Sequence, residues 1–166
     1  MNRINSQRPI AIELFCGVGG MTLGFEQAGY DVRAAFDLEG FNVASHRRNF
    51  PGTAAFAVDL SNETAKTLRR IASLGSSEVD LIFGGPPCQG FSFGGRQDAS
   101  DKRNLLIFEF ARLVIEFSPK YFVMENVKGL TSLRSRPVLN AFIRRIRRAG
   151  YHIVEPVQVL NAADYG

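Results

Sequence analysis

The sequence has no tryptophan, two histidines and only two cysteines in 166 residues, and these shortages differ in what they exclude. The missing tryptophan excludes nothing. Two cysteines cannot build the dense disulfide framework of a small secreted domain. Both, Cys16 and Cys88, lie in glycine-rich loops, poor ground for a structural staple and good ground for chemistry in a reducing compartment. With only His46 and His152 beside them, they lack any metal-ligand spacing, so no metal is expected. No apolar run approaches the roughly 18 residues of a membrane span, and no long apolar region follows Arg3 and Arg8 as in a signal peptide. The expected compartment is the cytoplasm. Charge of one sign is also scarce: 20 Lys and Arg against 16 Asp and Glu leave +4, which permits a polyanionic partner without demanding one.

What is present reads as one globular domain with a real core. Hydrophobic residues at 45% and charged ones at 22% are ordinary proportions that exclude disorder. Short apolar runs ending at glycine, proline or an acid alternate with stretches of helical spacing. Residues 9–15 form a predicted first strand, broken at once by Cys16-Gly17-Val18-Gly19-Gly20; residues 21–28 then repeat apolar positions at helical spacing up to Gly29, a C-cap glycine. Residues 31–36 make a second strand ending at Asp37, followed by a helix over 39–50. Residues 54–58 make a third, edge-like strand ending in Asp59-Leu60, and Ser61 is the predicted cap of a helix over 62–74.

The fourth strand, 79–83, leads into the second glycine-rich loop. Residues 104–117, nearly all apolar, predict a helix packed deep against the sheet with Glu109, Arg112 and Glu116 outward. Residues 121–124 are a fifth strand ending in Glu125-Asn126-Val127. A helix over 137–149 sets Val138, Leu139, Phe142, Ile143 and Ile146 against Arg144, Arg145, Arg147 and Arg148, a solvated basic face favoured at a helix's negative end. A last strand is expected over 151–160. This alternation predicts an α/β, doubly wound Rossmann-like fold.

Two loops at strand ends carry the chemistry. The turn at 16–20 opens a helix whose amino terminus offers unpaired N–H groups, and Asp37 stands about twenty residues on, where the doubly wound fold hydrogen-bonds a ribose diol. Glycine turns at such joins also serve packing alone, and Asp37 also suits a helix N-cap. The loop Gly84-Gly85-Pro86-Pro87-Cys88-Gln89-Gly90-Phe91-Ser92 presents Cys88 at a strand's carboxyl end, as a nucleophile or as a small buried cysteine in a turn. Residues 90–101 read as a mobile loop of the kind that closes over a substrate. Glu125, on the same rim, is a proton donor beside a covalent nucleophile or a structural carboxylate. His46 and His152 belong to a helix and a late strand, so a Cys–His hydrolase is not expected.

The ordered set of motifs resembles the amino-terminal catalytic part of the DNA cytosine-5 methyltransferases. Glu13-Leu14-Phe15-Cys16-Gly17-Val18-Gly19-Gly20 is similar to that family's S-adenosylmethionine loop, Gly85-Pro86-Pro87-Cys88-Gln89-Gly90-Phe91-Ser92 to its nucleophile motif, Asp101-Lys102-Arg103-Asn104-Leu105-Leu106 to a segment leaning on the cofactor, and Glu125-Asn126-Val127-Lys128-Gly129 to its catalytic glutamate motif. The resemblance implies an S-adenosylmethionine-dependent methyltransferase fold and catalysis by Cys88 and Glu125. Its cofactor contacts fall on Phe15, Gly17, Gly19, Gly20, Asp37, Leu38, Asp59, Leu60, Pro86 and Leu106, and its substrate-positioning residues are Pro87, Gln89, Ser92 and Asn126. It further implies methylation at cytosine C5 of double-stranded DNA, with the target base flipped out, as in restriction-modification systems of the bacterial cytosol or nucleoid.

The resemblance also has a departure. After Asn161-Ala162-Ala163-Asp164-Tyr165-Gly166 the family continues with a Gln-x-Arg-x-Arg segment, a seventh strand and a target recognition domain. The expectation is therefore a polar leader at 1–8 and a partial catalytic domain at 9–166, incomplete at the carboxyl terminus and inactive alone: a fragment, a truncated gene product, or one part of a split enzyme completed by a second polypeptide. A cofactor- or partner-binding module without activity, and a tRNA cytosine-5 methyltransferase, are the alternatives.

Overall fold

In β1 (Ile10–Leu14), Ile12 and Leu14 point to one side and Ala11 and Glu13 to the other, and all four are buried, so the strand needs cover on both faces. The structure, a computed structural model, describes residues 8–87 and 106–165. β1 is followed by α1 (Gly20–Gln27), β2 (Asp31–Asp37), α2 (Gly40–Asn49), β3 (Ala54–Ala57), α3 (Ala65–Ile71), β4 (Leu81–Gly84), α4 (Leu106–Phe117), β5 (Tyr121–Met124) and α5 (Arg136–Arg148). Among the described residues the sheet has five strands, all parallel, in the order β3-β2-β1-β4-β5.

Both faces are covered, as the doubly wound expectation requires. Ile12, Leu14, Ala34, Phe36 and Ile82 pack against α3, α4 and α5 through Leu68, Phe110, Leu113 and Ile146. On the other face Ala11, Val32, Leu81 and Phe83 meet Met21 and Phe25 of α1, and Ala35 and Ala55 meet Val43 of α2. An irregularity makes this sharing possible: β1 pairs Ala11 with Val32 but Ile12 with Ala34, so the β2 residues after Arg33 face opposite to what simple alternation from Val32 gives. The end of β3 is tied to α4 by Arg112, which donates to the Leu60 and Glu63 carbonyls at 2.9 Å while pairing with Glu109 and Glu116 at 2.7 Å.

Three expectations need correction. Residues 151–160 form no strand: Val154, Val159 and Leu160 are exposed, Pro156 interrupts the run without an N–H to donate, and none of the described strands pairs with it. The helix after β3 is shorter than 62–74 and is capped by Thr64, whose hydroxyl accepts the Thr67 N–H at 3.2 Å; Ser61 lies in a turn held by Asp59. Asp37 does not cap α2, whose N-cap is Glu39.

Candidate active site

Because the strands run parallel, their carboxyl ends share one rim, and the strand order reverses there between β1 and β4, the switch point where open α/β sheets take ligands. On the β1–β2 side, Phe15, Gly17 and Gly19 all adopt positive φ, at 57°, 52° and 97°. Gly19 has no alternative, since a Cβ there would come within 2.2 Å of the Phe50 ring. The Cys16 N–H extends the β1–β2 ladder to the Phe36 carbonyl at 3.0 Å, and the Gly19 N–H folds back on the Cys16 carbonyl at 3.1 Å. The Gly17 N–H donates to Asp37 Oδ2 at 2.8 Å, and Asp37 Oδ1 accepts from the Glu39 N–H at 2.9 Å and the Asn42 amide at 3.1 Å.

Asp37 thus ties the glycine turn to the start of α2. Its oxygens, with two lone pairs each, retain capacity for a diol hydroxyl. Leu38 beside it is exposed, as is Phe41, which gives this corner an apolar lip. Gly20 opens α1. Asp59 accepts one donor on each oxygen, the Ser61 N–H at 3.0 Å and the Asn62 amide at 2.9 Å, and the Leu60 side chain is buried in the core. These residues fit a nucleoside-bearing cofactor: a turn of bare backbone, an acid anchored beside it and an apolar lip, all at one strand-end corner.

The Glu125 N–H donates to the Gly84 carbonyl at 3.0 Å, carrying the β4–β5 ladder one residue further and setting the carboxylate over Gly85, where a Cβ would stand 3.0 Å from Oε2. The Asn126 amide donates to the Pro86 carbonyl at 2.9 Å. Asn126, expected to touch substrate, therefore holds the backbone two residues before Cys88. Pro86 is buried, Pro87 exposed, and Leu106, partly buried, begins α4. Cys88, Gln89, Ser92 and the loop 90–101 lie outside the described residues.

The two cysteines are not equivalent. Burial, and then the negative charges of Glu13 and Asp37, push the Cys16 thiol far above its ordinary range, so it stays protonated and unreactive. Sequence reasoning missed what lies under the turn: Glu13 of β1, Thr22 of α1 and His46 of α2 are buried together. The available signal was a carboxylate in an apolar strand, which must find partners to be buried. Among the described residues no group of three His, Cys, Asp or Glu side chains could hold a metal ion, and no helix is long and apolar enough to cross a membrane.

Residues 10–166 match the family pattern described as C-5 cytosine-specific DNA methylase. The chain belongs to that family. It is 48% identical over 159 residues to the type II methyltransferase M.XorII of Xanthomonas oryzae pv. oryzae, covering 96% of this chain and 38% of that protein. It is 39% identical over 162 residues to the type II methyltransferase M.AquIA of Picosynechococcus, covering 93% of this chain and 65% of that protein. The fold superposes with a TM-score of 0.82 on an E. coli structure described as a prophage-encoded DNA modification methyltransferase, 36% identical, over 95% of this chain and 42% of that one. The chain therefore spans well under half the length of M.XorII and about two thirds that of M.AquIA. The family is S-adenosylmethionine-dependent, so S-adenosylmethionine is the cofactor.

Proposed function

We propose that the protein methylates cytosine C5 in DNA through a covalent bond between Cys88 and C6, as the modification enzyme of a restriction-modification system. The observation that carries this reading is the meeting, at one switch point, of the turn anchored by Asp37 with the Gly85-Pro86-Pro87 backbone and the Glu125 carboxylate. The type II methyltransferases at 48% and 39% identity support DNA as the substrate.

Bound S-adenosylmethionine supplies an electrophilic methyl group. Phe15, Gly17, Gly19, Gly20, Asp37, Leu38, Asp59, Leu60, Pro86 and Leu106 would hold it. Cytosine C5 is a poor nucleophile until a thiolate adds at C6. The Cys88 thiolate forms the S–C6 bond while Glu125 gives a proton to N3 and accepts a hydrogen bond from the exocyclic amine, so the displaced electron pair makes C5 an enamine carbon. C5 would then take the methyl group, and loss of the C5 proton to a base, return of the N3 proton to Glu125 and elimination of the Cys88 thiolate would restore the aromatic ring. Neither Cys88 nor Glu125 reaches a base inside the stack, so the cytosine must be flipped out. Pro87, Gln89 and Ser92 position it, and Asn126 contributes by fixing the Pro86 carbonyl.

Base reading and phosphate contacts are assigned to polypeptide beyond the matched residues, in the same chain or a second one. The test is denaturation-resistant trapping on DNA containing 5-fluorocytosine, whose fluorine cannot leave as the proton does. The chain supplied with the downstream-encoded polypeptide and S-adenosylmethionine is expected to form the adduct, and Cys88→Ala to abolish it. An adduct that persists in Cys88→Ala rejects the reading.

A further inference from the structure

Beneath the glycine turn lies a polar group of three that the reaction does not use. Glu13, Thr22 and His46 are each at most 1% exposed and come from three different elements, β1, α1 and α2. The Thr22 hydroxyl bonds Glu13 Oε2 and lies 3.0 Å from His46 Nε2, which is itself 3.4 Å from Glu13 Oε2. The donor count settles the pattern. Thr22 has one hydrogen and the carboxylate can only accept, so Thr22 donates to Glu13 and Nε2 carries the proton that Thr22 and Glu13 receive. His46 Nδ1 is buried with no hydrogen-bond partner among the described residues. A core that buries a carboxylate and an unmatched ring nitrogen spends stability there, where apolar side chains of similar volume would pack without that cost.

The position of the group accounts for its retention. The Gly19 backbone lies directly on α2: a Cβ at Gly19 would meet the Phe50 ring and stand 3.0 Å from His46 Cδ2, and the two α2 rings are 5.0 Å apart. One turn before His46, the same helix carries Asn42, which holds the Asp37 carboxylate that in turn receives the Gly17 N–H. Thr22 sits in the first turn of α1, three residues after Gly19. The turn is therefore bounded by Asp37 and Asn42 at Gly17, by His46 and Phe50 at Gly19, and by Thr22 where it becomes helix.

We propose that Glu13, Thr22 and His46 are positioning residues, which lock α1 and α2 onto β1 and so hold the glycine turn in its cofactor-receiving shape before S-adenosylmethionine arrives. This rests on the reading of that turn as the cofactor site. The group touches no cofactor atom; it acts by keeping the competent shape populated. If its loss leaves one molecule in ten with the turn in that shape, the apparent affinity falls about tenfold.

The test uses the whole chain, with S-adenosylmethionine as the calorimetric titrant and amide exchange at Gly17 and Gly19 read by NMR. His46→Phe keeps a ring but loses the Nε2 donor, and Thr22→Val keeps the shape but loses the hydroxyl. Each is expected to weaken binding about tenfold and to expose both glycine amides to exchange, at temperatures where the variant remains folded. His46→Gln, whose amide can donate from the Nε2 position, should restore affinity to within about threefold. Full wild-type affinity and protection in a folded His46→Phe protein would overturn the proposal and leave the cofactor assignment standing. A wild-type chain that binds no S-adenosylmethionine would overturn the cofactor assignment instead. If neither variant folds, the wild-type exchange decides: amides protected without cofactor support the locked turn, and amides that become protected only on binding overturn it.

Discussion

The β1–β2 corner and the β4–β5 end of the rim are built to different standards. At the corner Asp37 receives three donors, the turn folds on its own backbone, and a buried carboxylate, hydroxyl and imidazole support it from below, with His46 Nδ1 the one buried side-chain nitrogen or oxygen left without a partner among the described residues. At the other end β5 is the edge of the described sheet, Tyr121 and Val123 are exposed, and, among the described residues, the Asn126 amide holds the Pro86 carbonyl beyond the end of β4. The difference teaches where pre-organisation has been invested. A cofactor of fixed shape rewards a rigid receptor.

The comparison can be broken most forcefully at the seam between the two regions. A Cβ on Gly84 would lie 1.9 Å from the Leu14 carbonyl oxygen, which is backbone and cannot yield. Gly84→Ala is expected to destabilise the fold by about 2–3 kcal/mol, read from the midpoint of urea unfolding. Gly85→Ala, one residue on, separates the two standards. Its Cβ would press at 3.0 Å on the far end of the Glu125 side chain, which can move aside. Stability should change by less than about 0.5 kcal/mol, while methyl transfer by the completed enzyme slows about tenfold or more because the proton-giving group is displaced. S-adenosylmethionine affinity should be unchanged, and a loss there would erase the proposed division.

The smallest effect is expected at the opposite end of the sheet. Asp80 accepts from Lys120 Nζ at 2.7 Å and from the Ile10 N–H at 2.8 Å, and the hydrogen bond from Lys120 holds its carboxyl below the ordinary range. A carboxylate depressed in the folded state contributes stability at neutral pH that is lost as pH falls through the folded value. Asp80→Asn should therefore lower the melting temperature slightly at pH 7, with the difference from wild type shrinking as pH falls through the depressed folded value of Asp80. A variant that lost cofactor affinity as well would show that the bottom of the sheet and the rim are not independent.

Much of the first region was legible in the sequence because its signals are local. Glycines before a helix, an acid at the next strand's end and the alternation of apolar residues name the fold and the corner together. His46 was not legible, since a histidine inside a helix carries no mark of what the helix packs on; only the sheet topology brings it beside Glu13 and Thr22. The strand expected over 151–160 failed for a related reason. Val154, Val157, Val159 and Leu160 have strand propensity, but a strand exists only against a partner, and none of the described strands pairs with that segment. The hydrogen bond from Asn126 to the Pro86 carbonyl was likewise not legible, since it joins residues forty apart that only the β4–β5 pairing brings together.

The central claim is that the cofactor corner is complete within this chain. Calorimetric titration of S-adenosylmethionine into the wild-type chain and into Asp37→Ala tests it most directly. The account predicts one-to-one binding by the wild type, weakened in the variant by about 1–3 kcal/mol as the anchored carboxylate is removed from the turn and the ribose. Equal affinity of the two proteins, or no binding by a folded wild-type chain, would contradict it.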